Sequence, residues 1–230
     1  MTGNTQQFIR QLAAQAAPVR KLPRPYARAA AWIGLSVAYI GLVLLLMPAR
    51  HDLSSKLHDP LFIVEQLSGL VTGIAAALAA FTTVVPGYDR KWAILPLLPL
   101  AIWLGSLGPG CIDELNQFGI QSLPLRHNPW CVPFIVLLGA IPAVAMVVML
   151  RRGAPLTPRL TAALGGLAAA GFANVGVRVT HPEDVSVMLL VWHVGSVIVL
   201  SSLASSAGEY FLNWRSVIHA SEKSGHSVSI

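Results

Sequence analysis

The sequence predicts an all-α, polytopic membrane protein with six transmembrane helices. Six apolar stretches occur along its 230 residues, at 28–48, 61–85, 93–109, 130–150, 159–178 and 186–206. Most of them have the roughly 17–25 residues that a helix needs to cross about 30 Å of hydrocarbon. Hydrophobic residues make up 54% of the chain and charged residues only 11%, whereas a soluble domain carries about 25% charged residues. The predicted parts are an amphipathic helix with a basic linker at 1–26, a membrane domain at 27–208 and a tail at 209–230.

The distribution of basic residues predicts the orientation of these helices. The two tails and the second and fourth connections carry 12 of the 16 Lys and Arg residues, and the other three connections carry 4. Cytoplasmic connections of membrane proteins are enriched in Lys and Arg. Both termini are therefore expected in the cytoplasm, with the chain crossing a bacterial inner membrane several times. The basic charge also suits anionic lipid, so the lipid bilayer is a predicted partner and direct nucleic-acid binding is not predicted.

The segment before the first apolar stretch has the pattern of an amphipathic helix. Phe8, Ile9 and Leu12 fall on one helical face, and glutamines and an arginine occupy the other. Asn4 is the expected N-cap, and Pro18 is expected to end the helix. A helix of about 12 residues is marginal in isolation. It therefore needs a surface, which can be lipid, the membrane domain or a partner protein.

Cysteine and histidine side chains occur together on the predicted outer side. Cys111 follows the third apolar stretch and Cys131 lies at the entrance of the fourth. In a bacterial protein, both would face the oxidising periplasm, where disulfides persist. They can form a permanent disulfide, act as a reversible thiol sensor, or remain two separate thiols. His127 and His181 lie in predicted loops on the same side, and cysteine and histidine are suitable ligands for zinc or softer metals. No close ligand spacing occurs, so the metal is left unassigned. No resident cofactor is predicted beyond a transient metal ion at this face.

Few polar groups lie inside the predicted helices. His193, in the sixth stretch, is either functional or a neutral histidine bonded to a neighbouring helix, and Glu65 is expected to reach the interface or to pair. The scarcity of midplane charges counts against a transporter, and the lack of catalytic motifs counts against an enzyme. Gly69, Gly73 and the small residues at 164–171 predict close helix packing. Four prolines are expected to kink the third and fourth helices: Pro96, Pro99, Pro133 and Pro142.

Several short segments, in order, resemble the NrsF-like family of six-span membrane anti-sigma factors. They are Leu-Ala-Ala-Gln-Ala-Ala-Pro-Val-Arg-Lys-Leu at 12–22, Trp-Cys at 130–131, Arg-Arg-Gly-Ala-Pro-Leu at 151–156, Leu-Gly-Gly-Leu-Ala-Ala-Ala at 164–170, His-Pro-Glu-Asp at 181–184 and Val-Trp-His at 191–193. The resemblance extends from about residue 8 to residue 215. It implies a protein that holds an extracytoplasmic-function sigma factor at the inner membrane and releases it on oxidative or metal stress.

The resemblance also implies roles for individual residues. It assigns sigma binding to the first helix, with Phe8, Ile9 and Leu12 as apolar anchors, and sensing to outer cysteines, with Cys131 at the family's Trp-Cys position. The family commonly has a second cysteine before Pro-Glu-Asp, where this chain has His181.

That departure leaves two arrangements open. Cys111 replaces the missing cysteine, or Cys131 and His181 share a metal ion. A small multipass transporter or channel is the alternative function. Deleting residues 1–24 separates the two functions, because a transporter should keep working without them.

Overall fold

The computed structural model describes residues 2–15, 22–118, 131–153, 157–180 and 202, and within these ranges all regular structure is helical. The elements are α1 (Thr2–Gln15), α2 (Pro25–Leu46), α3 (Leu53–Lys56), α4 (Pro60–Thr83), a 3-10 helix (Arg90–Ile94), α5 (Leu97–Phe118), α6 (Cys131–Leu150) and α7 (Pro158–Thr180).

Four described segments are long and apolar enough to cross a membrane: Pro25–Leu46, Pro60–Thr83, Lys91–Pro109 and Pro158–Thr180. Helix α6 corresponds to the fourth predicted stretch, and its described apolar part, Val136–Leu150, is shorter. The all-α class is therefore confirmed, and five of the six predicted stretches correspond to helices. The stretch at 186–206, apart from Ser202, and the tail at 209–230 lie outside the described residues. The count of six spans and their orientation remain predictions.

Local sequence signals explain where the long helices begin. Helices α2, α4 and α7 each begin at a proline, where the missing N–H costs no intrahelical hydrogen bond and the ring favours helical φ. At the start of α4, the Asp59 carboxylate also accepts a hydrogen bond from the Leu61 amide at 3.0 Å. These starts therefore need no tertiary contact to define them.

The third predicted span, 93–109, nearly coincides with the candidate span Lys91–Pro109, but the bounds of its α-helix differ. The helix was expected at 93–109, but α5 begins at Leu97 and continues to Phe118, so part of the predicted outer connection is helical. Pro96 precedes α5 and Pro99 lies in its first turn, where proline breaks no intrahelical hydrogen bond. The span is interrupted at Pro96, between the 3-10 helix and α5, and the proline inside α5 is Pro109.

The two prolines at which α6 was expected to kink lie at different positions in the helix. Pro133 falls in the first turn, and Pro142 is the interior proline. The Pro142 carbonyl accepts a hydrogen bond from Trp32 Nε1 at 2.9 Å, which joins α6 to α2. Trp32 is fully buried and meets the Phe172 ring of α7 edge-on, with 5.2 Å between centroids. This residue group therefore forms the centre of the helix core.

Helices α4 and α7 form the central pair, with α5 packed on α4, α6 packed on α7, and α2 contacting α4, α6 and α7. Glycine makes the close approach of the central pair possible. A Cβ atom on Gly171 would lie 2.7 Å from the Gly69 carbonyl oxygen and 2.9 Å from the Gly73 Cα atom. The close packing predicted from Gly69, Gly73 and the small residues at 164–171 is confirmed.

Candidate functional site

Helix α1 presents apolar side chains to its surroundings. Phe8 is 60% exposed and Ile9 is 58% exposed, and the described polar side chains of the helix are exposed as well. Leu12, the third predicted anchor, lies in α1, but its side chain is outside the described part of the chain. Helix α1 already includes Thr2, so the N-cap expected at Asn4 is wrong. Once a helix has formed, extending it by two residues requires no specific capping side chain.

Two adjacent large apolar side chains on a polar helix indicate a docking element. Such a helix typically binds by laying its apolar face into a groove of a partner. Truncating a residue that is a hot spot of a docked interface costs about 2 kcal/mol or more of binding free energy. The predicted amphipathic helix is present, and its apolar residues Phe8 and Ile9 are accessible. The identity of the surface that covers them remains a prediction.

A buried ion pair joins the central helices α4 and α7. Glu65 is 5% exposed and Arg178 is 6% exposed, and Arg178 Nη2 donates to Glu65 Oε2 at 2.8 Å. The prediction that Glu65 reaches the interface or pairs is confirmed as pairing. Arg178, which was counted among the basic residues of the outer side, lies within the last turn of α7, which continues to Thr180. The partner carboxylate allows the guanidinium to be buried.

A second buried arginine, Arg50, lies near the Glu65–Arg178 ion pair, in the connection after α2. Arg50 binds both carboxylate oxygens of Asp52 at 2.7 Å, and its backbone N–H donates to the Val179 carbonyl at 3.1 Å. The guanidinium carbons of Arg50 and Arg178 lie 6.0 and 5.3 Å from the centroid of the Phe62 ring, within the range of cation–π attraction. One aromatic ring, Phe62, therefore connects the start of α4, the end of α7 and the connection between α2 and α4. The Arg50-x-Asp52 spacing was the sequence signal for the ion pair at this loop.

Three further polar side chains lie deeper between α4, α5 and α7. Asn174 Nδ2 and Trp103 Nε1 lie 3.4 and 3.5 Å from the position of a Cβ atom on Gly69. Both side chains are buried, and neither nitrogen has a hydrogen-bond acceptor within the described ranges. The buried amide of Gln66 is also unpaired there. Gln66 and Asn174 are polar residues within apolar stretches, which is a sequence signal of helix packing that the predictions above did not use.

The predicted sensing cysteines belong to the two helices beside the central pair. Cys111 lies within α5, two residues beyond the candidate span Lys91–Pro109, and Cys131 is the first residue of α6. Since α5 packs on α4 and α6 packs on α7, the two cysteines lie on helices that contact opposite members of the central pair. Their side chains are outside the described part, so the predicted thiol chemistry is untested.

The predicted histidines fall outside the described residues: His127, His181 and His193. Among the residues that are described, no group of three His, Cys, Asp or Glu side chains is arranged to hold a metal ion. The proposed metal ligands include residues beyond those ranges. The metal site therefore remains a prediction.

Comparison with known proteins identifies the family. The family model described as NrsF, negative regulator of sigma F, matches residues 12–214. Anti-sigma-F factor NrsF of Caulobacter vibrioides (strain NA1000 / CB15N) is 31% identical over 201 residues, which cover 84% of this chain and 91% of the relative. Probable anti-sigma-F factor NrsF of Azospira oryzae (strain ATCC BAA-33 / DSM 13638 / PS) is 28% identical over 221 residues, which cover 91% of this chain and 99% of the relative. No solved structure matches the chain.

These matches extend across α2 to α7 and begin inside α1. They confirm the resemblance seen in the sequence motifs, and they indicate a regulatory and not an enzymatic protein. The chain belongs to the NrsF family of negative regulators of sigma F.

Proposed function

We propose that this protein is a membrane-embedded anti-sigma factor that holds an extracytoplasmic-function sigma factor through α1 and releases it on a periplasmic stress signal. The observation that carries the proposal is the exposure of Phe8 and Ile9 on α1, in a chain of a family of sigma regulators. The sigma factor supplies the groove that these side chains fill, and Leu12 extends the same apolar face. Holding the factor at the inner membrane keeps it from RNA polymerase.

The proposed topology has six spans and both termini in the cytoplasm, the compartment of the sigma factor. The structure offers one argument in support. Arg28, Arg50 and Arg178 are buried, so they do not belong in a count of loop charges. Without them, Lys56 and Arg126 are the basic residues left on the proposed outer side, and the bias that favours a cytoplasmic N-terminus becomes stronger.

The proposed signal acts at Cys131, with Cys111 and His181 as its partners and His127 nearby. In the redox form, an external oxidant accepts two electrons and two protons, and the two thiols become a disulfide. In the metal form, a thiolate and one or both histidines bind the ion. Either event shifts the protein only if it favours one helix packing over another.

The central helix pair is suited to such a change of packing. Helix α5, which carries Cys111, packs on α4, and helix α6, which carries Cys131, packs on α7. Between α4 and α7, the Gly171 contact and the Glu65–Arg178 ion pair both require close approach. A displacement of α4 against α7 would separate the two groups of the ion pair. Because a buried charge without its partner is strongly unfavourable, such a displacement would change the stability of this helix packing. Helix α2 contacts both α4 and α7 and follows α1 in the chain, so repacking can reach the sigma-binding segment.

A pull-down from mild detergent tests the anti-sigma role. Full-length protein should retain the sigma factor, and a version lacking residues 1–24 should not, provided that both elute as single folded species. Retention by both forms would move the binding surface away from α1. Retention by neither would overturn the anti-sigma proposal, and solute flux in liposomes that survives the deletion would favour the transporter or channel.

Replacing Cys131 with serine tests the sensor assignment. Cys131→Ser should leave sigma binding intact and should remove most of the induction of the sigma regulon by oxidative or metal stress. Serine is close in size, but it forms no disulfide and is a poor ligand for soft metals. The measurement is a reporter of the sigma regulon before and after stress.

Cys111→Ser is the matched control for the chemistry. An equal loss of response in both variants indicates a thiol pair, and a loss confined to Cys131→Ser indicates a metal bound by cysteine and histidine. Unaltered induction in Cys131→Ser would disprove the sensor assignment.

A further inference from the structure

Arg28 is a buried cation near the start of α2. The residue is 5% exposed, although it lies only one turn into the helix and the two residues before it, Tyr26 and Ala27, are exposed. Its Nη2 atom donates to the Met149 carbonyl in the last turn of α6, where carbonyls lack intrahelical partners. Its guanidinium carbon lies 4.9 Å from the centroid of the Phe81 ring of α4. Arg28 therefore fills the junction of α2, α4 and α6.

These contacts leave the charge of Arg28 uncompensated. Within the part of the chain that the structure describes, no carboxylate pairs with Arg28, and its buried Nη1 atom has no hydrogen-bond acceptor. A carbonyl and an aromatic ring offset only part of the unfavourable free energy of burying a guanidinium. The Nη1 group of Arg28 is therefore a charged donor without an acceptor among the described residues.

A second arginine increases the positive potential at this junction. Arg152 follows the end of α6, three residues after the carbonyl that Arg28 binds. It is exposed, and it follows directly on the helix end that Arg28 contacts through the Met149 carbonyl. Two positive groups at one helix end raise the local positive potential and favour an anion there, which would also satisfy the free donor of Arg28.

We propose that Arg28 and Arg152 bind a phosphate group, which in the membrane belongs to the headgroup of an anionic phospholipid. Guanidinium is suited to this ligand because its planar donors match the oxygens of a phosphate. The position is also suitable, because the site lies where α2 begins and α6 ends, at an end of the membrane helices. The bound lipid would tie α2, and with it the start of the chain, to α4 and α6. This inference does not depend on sigma binding.

The test compares thermal unfolding of delipidated protein in a neutral detergent with three additives: phosphatidylglycerol, phosphatidylcholine and inorganic phosphate. The proteins are the wild type, Arg28→Met, Arg152→Gln and the control Lys91→Gln. Lys91 belongs to the 3-10 helix that precedes α5, and its side chain is 85% exposed. The control therefore removes one positive charge without touching the proposed site.

Phosphatidylglycerol should raise the Tm of the wild type and of Lys91→Gln by roughly 5–10 °C at about 100 times its dissociation constant. It should raise the Tm of Arg28→Met and Arg152→Gln by much less. Without lipid, Arg28→Met should unfold at or above the wild-type temperature, because methionine removes an unpaired buried charge. If that variant fails to fold, exposed Arg152 still provides the test.

Two results would support the site, and they differ in which molecule supplies the phosphate group. An effect of phosphatidylglycerol alone identifies the lipid headgroup, and an equal effect of inorganic phosphate that requires Arg28 identifies free phosphate. The absence of a shift in the wild type would overturn the proposal. Equal shifts in all four proteins, or an equal effect of phosphatidylcholine, would overturn it as well.

Discussion

Replacing Phe8 and Ile9 with alanine is expected to weaken sigma binding by at least about 30-fold. A single large apolar anchor contributes about 2 kcal/mol to a docked interface when truncation is measured, and 1.4 kcal/mol corresponds to a tenfold change in affinity. Both side chains are more than half exposed on α1, so their removal leaves no cavity among the described helices. Alanine is the strongest helix former, and the loss would therefore report missing contacts and not a missing helix.

The matched control is the double variant Gln7→Ala/Gln11→Ala. These glutamines are exposed on the same helix, and their replacement removes side chains of similar length from the polar face. The dissociation constant, measured in detergent with purified sigma factor, should change by less than about threefold. Equal binding by the Phe8→Ala/Ile9→Ala variant and the wild type would contradict the assignment of α1 as the binding element.

Replacing Arg178 with methionine is expected to lower the Tm by about 10 °C. The change leaves Glu65 buried without the guanidinium that binds it at 2.8 Å. Removing one partner of a buried pair typically destabilises a protein by about 3–5 kcal/mol. In a chain of this size each kcal/mol corresponds to about 2–4 °C. The measurement is thermal unfolding in neutral detergent or in lipid nanodiscs.

The double variant Glu65→Leu/Arg178→Met separates the ion pair from the packing of its side chains. It should recover most of the lost stability, since apolar residues of similar volume commonly replace a buried pair at little cost. A reporter assay adds a functional readout, in which Arg178→Met should release the sigma factor without stress. A Tm within about 2 °C of wild type for Arg178→Met would show that the ion pair does not hold α4 against α7.

The sequence was sufficient wherever a property depends on neighbouring residues alone. The length of each apolar stretch predicted α2, α4, α6 and α7 to within a few residues, and the pattern around Phe8 predicted α1. The short motifs identified the family, because their order along the chain is itself a sequence property. Prediction was less accurate at α5, because a helix can continue past the apolar stretch into polar residues.

Only the tertiary structure shows which arginine side chains are buried. Arg28, Arg50 and Arg178 lie near helix ends, where a sequence pattern is equally consistent with a solvated loop and a buried contact. Arg28 donates to a backbone carbonyl and stacks near an aromatic ring, whereas Arg50 and Arg178 form ion pairs with carboxylates. Apart from Asp52, which is only two residues from Arg50, these partners are distant in sequence. The sequence by itself therefore determined the helical class, the family and the amphipathic first helix. Only the packing of the helices decided which charges are buried, because burial depends on partners that the fold brings together.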